Sequence, residues 1–115
     1  MDERLEKALD ISNLMISLNN QKRIIKEQFL ESSIHYINGG KFLVTRDLIN
    51  FCHTLISKQQ QSAVLIDDND MPVDIEDLQT FLDEILNIYF TASYEYLDKY
   101  NEVKKNRNIK GLVDL

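Results

Sequence analysis

The sequence has no tryptophan, one cysteine, one proline and only three glycines among its 115 residues. Each scarcity excludes something. The single Cys52 rules out an intramolecular disulfide, and on the apolar side of a helix a lone thiol acts as a small hydrophobe. So little glycine and proline is incompatible with a low-complexity chain. With 43% hydrophobic and 28% charged residues, the composition is that of a folded, helix-leaning domain. Long apolar runs are missing too, and Asp2, Glu3, Arg4, Glu6 and Lys7 do not open a signal peptide. The expected setting is a cytoplasm, with no membrane partner. Positive charge is scarce, and a formal net charge of −6 argues against a nucleic-acid partner, which requires a concentrated basic surface. It does not suggest a DNA mimic either.

What is present organises itself around Ser62 to Leu78, SAVLIDDNDMPVDIEDL, which passes from an apolar run through an acidic turn into an amphipathic helix. Ala63, Val64, Leu65 and Ile66 predict a strand, and Asp67, Asp68, Asn69 and Asp70 predict a tight turn closed by side-chain hydrogen bonds. Pro72 lacks an N–H, so the return strand, Met71 to Val73, is expected at a sheet edge. Asp74 is the expected cap of the helix that follows.

Upstream, residues 2 to about 32 repeat apolar side chains at helical spacing: Ile11, Leu14, Met15, Leu18, Ile25 and Phe29, with Leu5, Ala8 and Leu9 extending the stripe backwards. Such a helix spans about 45 Å, with Asn19 and Asn20 as the place for a kink. Asn38-Gly39-Gly40 between Ile34–Ile37 and Phe42–Val44 predicts a second hairpin, because Asn-Gly tolerates positive φ. Thr45 is a natural N-cap for a helix over about 46 to 60. After the acidic hairpin, Leu78, Phe81, Leu82, Ile85, Tyr89, Ala92, Tyr96, Tyr100 and Val103 keep one helical face. The last residues, 108 to 115, leave helical spacing at Gly111 yet carry Ile109, Leu112, Val113 and Leu115, an apolar tail that docks in cis or in trans.

The fold class that follows is α+β and mostly helical: two long packed helices, a shorter middle helix and two short β-hairpins forming a small antiparallel sheet. Residues 1–107 form one helical domain, and 108–115 form the tail. The helix stripes are long for one small domain, which points to a homo-oligomer if the two helices do not cover each other.

Catalytic and ligand-binding patterns fail one by one. Counted from Asp67, an EF-hand loop needs glycine at its sixth and glutamate at its twelfth position, and the chain has Pro72 and Leu78 there. Turn acids and helix-start acids account for Asp67, Asp68, Asp70, Asp74, Glu76 and Asp77, with surface cation binding as the alternative. His35 and His53 lie in different elements without zinc-site spacing, and Gly39-Gly40 has no downstream Lys-Ser/Thr for a phosphate loop. No cofactor, no metal and no catalytic residue is expected, and the chain is read as a non-enzyme acting by contact.

The order HYINGGKFLVTRDLI, then VLIDDNDMPVDIEDLQTFLDEI, then a long aromatic and basic helix resembles a domain of unknown function found in tailed-phage proteins. That domain occurs in tail-fibre and tail-fibre assembly proteins and in small proteins of contractile-tailed cyanophages. The similarity covers about residues 20 to 106, and it departs from the family pattern in having no tryptophan before the acidic turn. It implies a tail-associated structural component or assembly chaperone, located in the host cytoplasm or the virion, whose partner is a phage tail or assembly protein. The alternative is a small acidic adaptor that binds a polymerase or another enzyme. The residues expected to meet a partner are the hairpin tips Asn38, Gly39, Gly40, Asn69, Asp70 and Met71, exposed Tyr94, and Leu112, Val113 and Leu115 in the tail.

Overall fold

The computed structural model describes the backbone of residues 2–114 and the side chains of residues 2–105. The expectations placed on Leu112, Val113 and Leu115 lie outside the described side chains. In chain order the elements are α1 (Glu3–Ser32), β1 (Ile34–Ile37), β2 (Gly40–Leu43), α2 (Arg46–Ser57), β3 (Ala63–Ile66), β4 (Pro72–Ile75) and α3 (Leu78–Asp114). This is an α+β, mostly helical fold in which the long helices α1 and α3 pack together. No break falls at Asn19-Asn20, so α1 is one helix.

The chain divides into two compact units, one made of Met1–Gln28 with Glu95–Leu115 and the other of Phe29–Tyr94. Charge divides with them. Ten of the nineteen acidic residues fall in Phe29–Tyr94 beside three Lys or Arg, a net of −7, while the rest of the sequence carries +1.

In the Phe29–Tyr94 unit the core is Phe42, Val44, Cys52, Leu65, Val73, Ile75, Leu78, Phe81, Leu82 and Ile85. Leu78, Phe81, Leu82 and Ile85 share one face of α3, as their three- and four-residue spacing requires. Phe81 meets the Phe42 ring edge-on at a centroid distance of 5.5 Å. Ser33 ends α1 by donating its hydroxyl to the Phe29 carbonyl (2.7 Å), and its own carbonyl accepts the Val44 N–H (2.7 Å). Hence the first hairpin starts already tied at its base.

That hairpin turns at Asn38 (φ +50°) and Gly39 (φ +80°), the two positive angles that Asn-Gly supplies at little cost. Thr45 caps α2 as expected, accepting the Leu48 N–H at 3.1 Å. The expected end of α2 near residue 60 moves back to Ser57. Gln59 takes φ +66°, and the Gln59 and Gln60 N–H groups close on the Ile56 and Leu55 carbonyls (2.9 and 3.0 Å). This is a left-handed helix end made without glycine.

The second hairpin departs from expectation in two linked ways. Its return strand is Pro72–Ile75, not Met71–Val73, because burial alternates and both Val73 and Ile75 reach the core. Asp74 therefore lies in the strand and does not cap the helix. Asp77 does, accepting the Thr80 N–H at 3.1 Å and the Thr80 hydroxyl at 2.8 Å. The two hairpins are separate two-stranded antiparallel ladders.

In the other unit, Leu18, Ile25 and Val103 are buried with Leu14 and Tyr96 packed against them. Around this thin seam the Lys99 ammonium donates to Gln28 Oε1 (3.0 Å), and Lys22 Nζ stands 5.9 Å above the Tyr100 ring.

Candidate functional site

The acidic turn is built as a clamp between the two hairpins. In the first hairpin Ile37 pairs with Gly40 across the two-residue turn, so alternation of the ladder leaves the Lys41 and Leu43 N–H groups facing outwards. Carboxylates take both. Asp67 Oδ2 accepts the Lys41 N–H and Asp68 Oδ2 accepts the Leu43 N–H, each at 2.9 Å, while the Asp68 N–H donates to the Lys41 carbonyl at 2.9 Å. Asp67 Oδ1 also accepts the N–H groups of Asn69 (2.9 Å) and Met71 (2.8 Å) within its own turn.

Asp67 is thereby buried and ionised. The Lys41 N–H, with those of Met71 and Asn69, holds its carboxyl below the usual carboxylate range against the opposing effect of burial. Thr80 lowers the Asp77 carboxyl in the same way through its N–H and hydroxyl. Both Asp67 oxygens and Asp68 Oδ2 are thus committed to backbone donors. Among the described residues, no group of three or more His, Cys, Asp or Glu side chains is placed to hold a metal ion.

The expected partner-binding tips separate. Gly40 leaves the group: it is buried, and a Cβ there would stand 2.5 Å from Val73 Cγ2. Its lack of a side chain is what lets β2 approach the second hairpin so closely. Asn38 is exposed, but its Nδ2 donates to the Asp74 carbonyl at 3.0 Å. Gly39, Asn69, Asp70 and Met71 are exposed, the N–H groups of Asn69 and Met71 being held by Asp67. Tyr94 is exposed as expected, one helical turn beyond Phe90, which is also exposed.

Of the remaining candidates for chemistry, Cys52 and His35 are packed into the unit and His53 is not. Cys52 is fully buried, and that burial pushes its thiol up to about 11. His35 lies against Phe81, with its Nε2 3.0 Å from a Glu84 carboxylate oxygen. His53 is exposed. An open groove of about 450 Å³ follows β4 and is lined by Pro72, Asp74, Asp77, Thr80 and Glu84, and in it the Thr80 hydroxyl donates to the Asp77 carboxylate that caps α3.

Among the described residues, apolar side chains are exposed on positions that the sequence stripes and runs do not mark as outer, on α1 and β3 among others. In α1, Leu5 and Leu9 were placed on the same stripe as Leu18 and Ile25, but they are exposed, as is Ile16. Their spacing puts all three about half a turn away from the seam, a phase shift that step counting along the helix reveals. In β3, Val64 and Ile66 are each 62% exposed while Leu65 is buried. Four consecutive apolar residues carry no alternation that would have marked the outer pair.

Among the described residues no helix is long and apolar enough to cross a membrane. No family model, curated protein or solved structure matches the chain.

Proposed function

We propose that this protein is a non-enzymatic contact protein, a phage tail or tail-fibre associated structural component or assembly chaperone whose partner is another protein of the assembly. The observation that carries the contact reading is the second apolar side of α1. Leu18 and Ile25 face Val103, while Leu5, Leu9 and Ile16 lie across the helix and are left open. Ile11 and Met15, which continue the packed face, are also exposed. A seam this thin buries little apolar surface by itself, and a partner that covers the open side would add to its stability. The phage setting rests on the resemblance over about residues 20 to 106.

The test is to follow the protein in infected cells and purified particles while substituting Leu9→Lys and Ile16→Lys. The expected result is recovery in particles or in a complex with a tail-assembly protein, lost in the double variant, with unchanged circular dichroism of the purified chain. A protein that stays monomeric at high concentration, appears only free in lysate, and behaves identically with both substitutions would refute the reading. Capture of a single polymerase or other enzyme from lysate would favour the adaptor instead.

A further inference from the structure

The second hairpin has one closed edge and one open edge. The Asp67 N–H donates to the Met71 carbonyl (2.9 Å), which sets the ladder so that Leu65 exchanges bonds with Val73 and Ala63 with Ile75. On β4 the outward positions are therefore Pro72 and Asp74. Pro72 has no N–H to offer, and the Asp74 carbonyl accepts from Asn38 Nδ2 at 3.0 Å. On β3 the outward positions are Val64 and Ile66. Among the described residues no third strand lies beside them, and no side chain bonds to their N–H or C=O groups. The strip stops at Asp68, whose N–H is already taken by the Lys41 carbonyl.

An open edge is usually blunted by charge, proline or a bulge, and β3 has none of these at its two outward positions. Its Val64 and Ile66 side chains stand on the outer face of the hairpin, beside their exposed cross-strand partners Asp74 and Pro72. We propose that β3 is a docking edge for a short extended segment of a partner protein that adds as a third strand, with aliphatic residues beside Val64 and Ile66 and Lys or Arg between them. Strand addition supplies main-chain hydrogen bonds, and alternate side chains supply selection. Charge chooses between candidate occupants. A second copy brings a unit of net −7 against another of −7, whereas a basic segment is drawn to it. Four free backbone groups make a short strip, so the charge term governs affinity and binding falls steeply with salt. This surface is independent of the α1 side proposed above, and the two stand or fall separately.

The experiment uses the full-length chain and a pool of labelled hexapeptides alternating Lys or Arg with Val or Ile. Binding is read by fluorescence anisotropy, and backbone amide exchange is read by NMR. The expected result is binding at low salt that weakens at least tenfold when the basic residues are replaced by Glu, or when alternate peptide amides are N-methylated. Ile66→Lys is expected to weaken it at least fivefold without moving the thermal midpoint, and Asn87→Lys, at an exposed position of α3, to leave it unchanged. The Val64 and Ile66 amides should gain protection in the complex. Absence of binding, equal binding by the N-methylated pool, or no added protection at those two amides would overturn the proposal. So would a concentration-dependent dimer that Ile66→Lys dissolves, which would assign the edge to a second copy.

Discussion

Gly40 is where the two hairpins meet, and a double-mutant cycle with Val73 measures that meeting. A Cβ at Gly40 would sit 2.5 Å from Val73 Cγ2 and 3.2 Å from both the Ile37 carbonyl oxygen and Phe42 Cε2. Val73 is itself buried and points into the core, so its methyl group has no open space to enter. Gly40→Ala is therefore an overpacking change, expected to cost about 1–3 kcal/mol. Val73→Ala removes two buried methyl groups and leaves a small void, expected to cost about 2 kcal/mol. Combined, the alanine methyl at position 40 occupies part of the space vacated at position 73. The double variant should thus lose less than the sum of the singles, by about 1 kcal/mol or more. The residual contacts with the Ile37 carbonyl and Phe42 remain, so relief is partial. Urea unfolding of the four proteins, read by circular dichroism, checks this. Costs that add to within about 0.3 kcal/mol would refute the account, because they would show that position 40 does not bear on Val73. Gly39→Ala is the contrasting control. It meets nothing within 4 Å, and its effect comes only from the positive φ of +80°.

Two further outcomes follow from other parts of the same unit. Asp67 has a folded-state pKa held below its unfolded value near 3.9 by the Lys41, Met71 and Asn69 N–H groups, so its contribution to stability is present above that value and is lost as pH falls through the folded pKa. Asp67→Asn should flatten the fall in unfolding free energy below about pH 4 and lower stability at pH 7; an unchanged acid limb in urea melts across pH would refute the clamp. Gln59 ends α2 at φ +66°, so Gln59→Gly should stabilise the protein by about 0.5–1 kcal/mol, read as a raised melting midpoint, and a lowered one would show that the Gln side chain has a role of its own.

How legible the fold was in the sequence depended on whether one residue type answered one local demand. Asn38-Gly39 announced a turn because few other pairs accept two positive φ angles, and Thr45 announced a helix start because its hydroxyl can replace the missing acceptor. Where several residues meet the same demand, the sequence does not choose. Asp74 and Asp77 are both capable caps, and what decides between them is the strand, which runs on until Ile75 is buried. Gln59 gives no warning of a left-handed helix end, since glycine would have been the signal. Leu5 and Leu9 join the packed stripe only if steps of three and four are chained without summing their angles, since at about 100° per residue Leu9 stands half a turn from Leu18.

The acidic turn shows the same limit at the level of function. Asp67, Asp68, Asn69 and Asp70 look alike in sequence, four small polar residues at one exposed-looking tip. The fold spends them unequally. Asp67 and Asp68 satisfy the outward N–H groups of β2, work that a neighbouring strand would otherwise do, while Asp70 remains open to solvent. Asp67 cannot also leave to hold a partner without freeing the three backbone donors of Lys41, Asn69 and Met71, nor Asp68 without freeing that of Leu43. Asp67 and Asp68 therefore form a structural joint, whereas the two surfaces proposed for contact, the outer side of α1 and the edge of β3, are not tied into it. Substitutions at the turn and at these surfaces should then sort cleanly, the first moving stability and the second moving association.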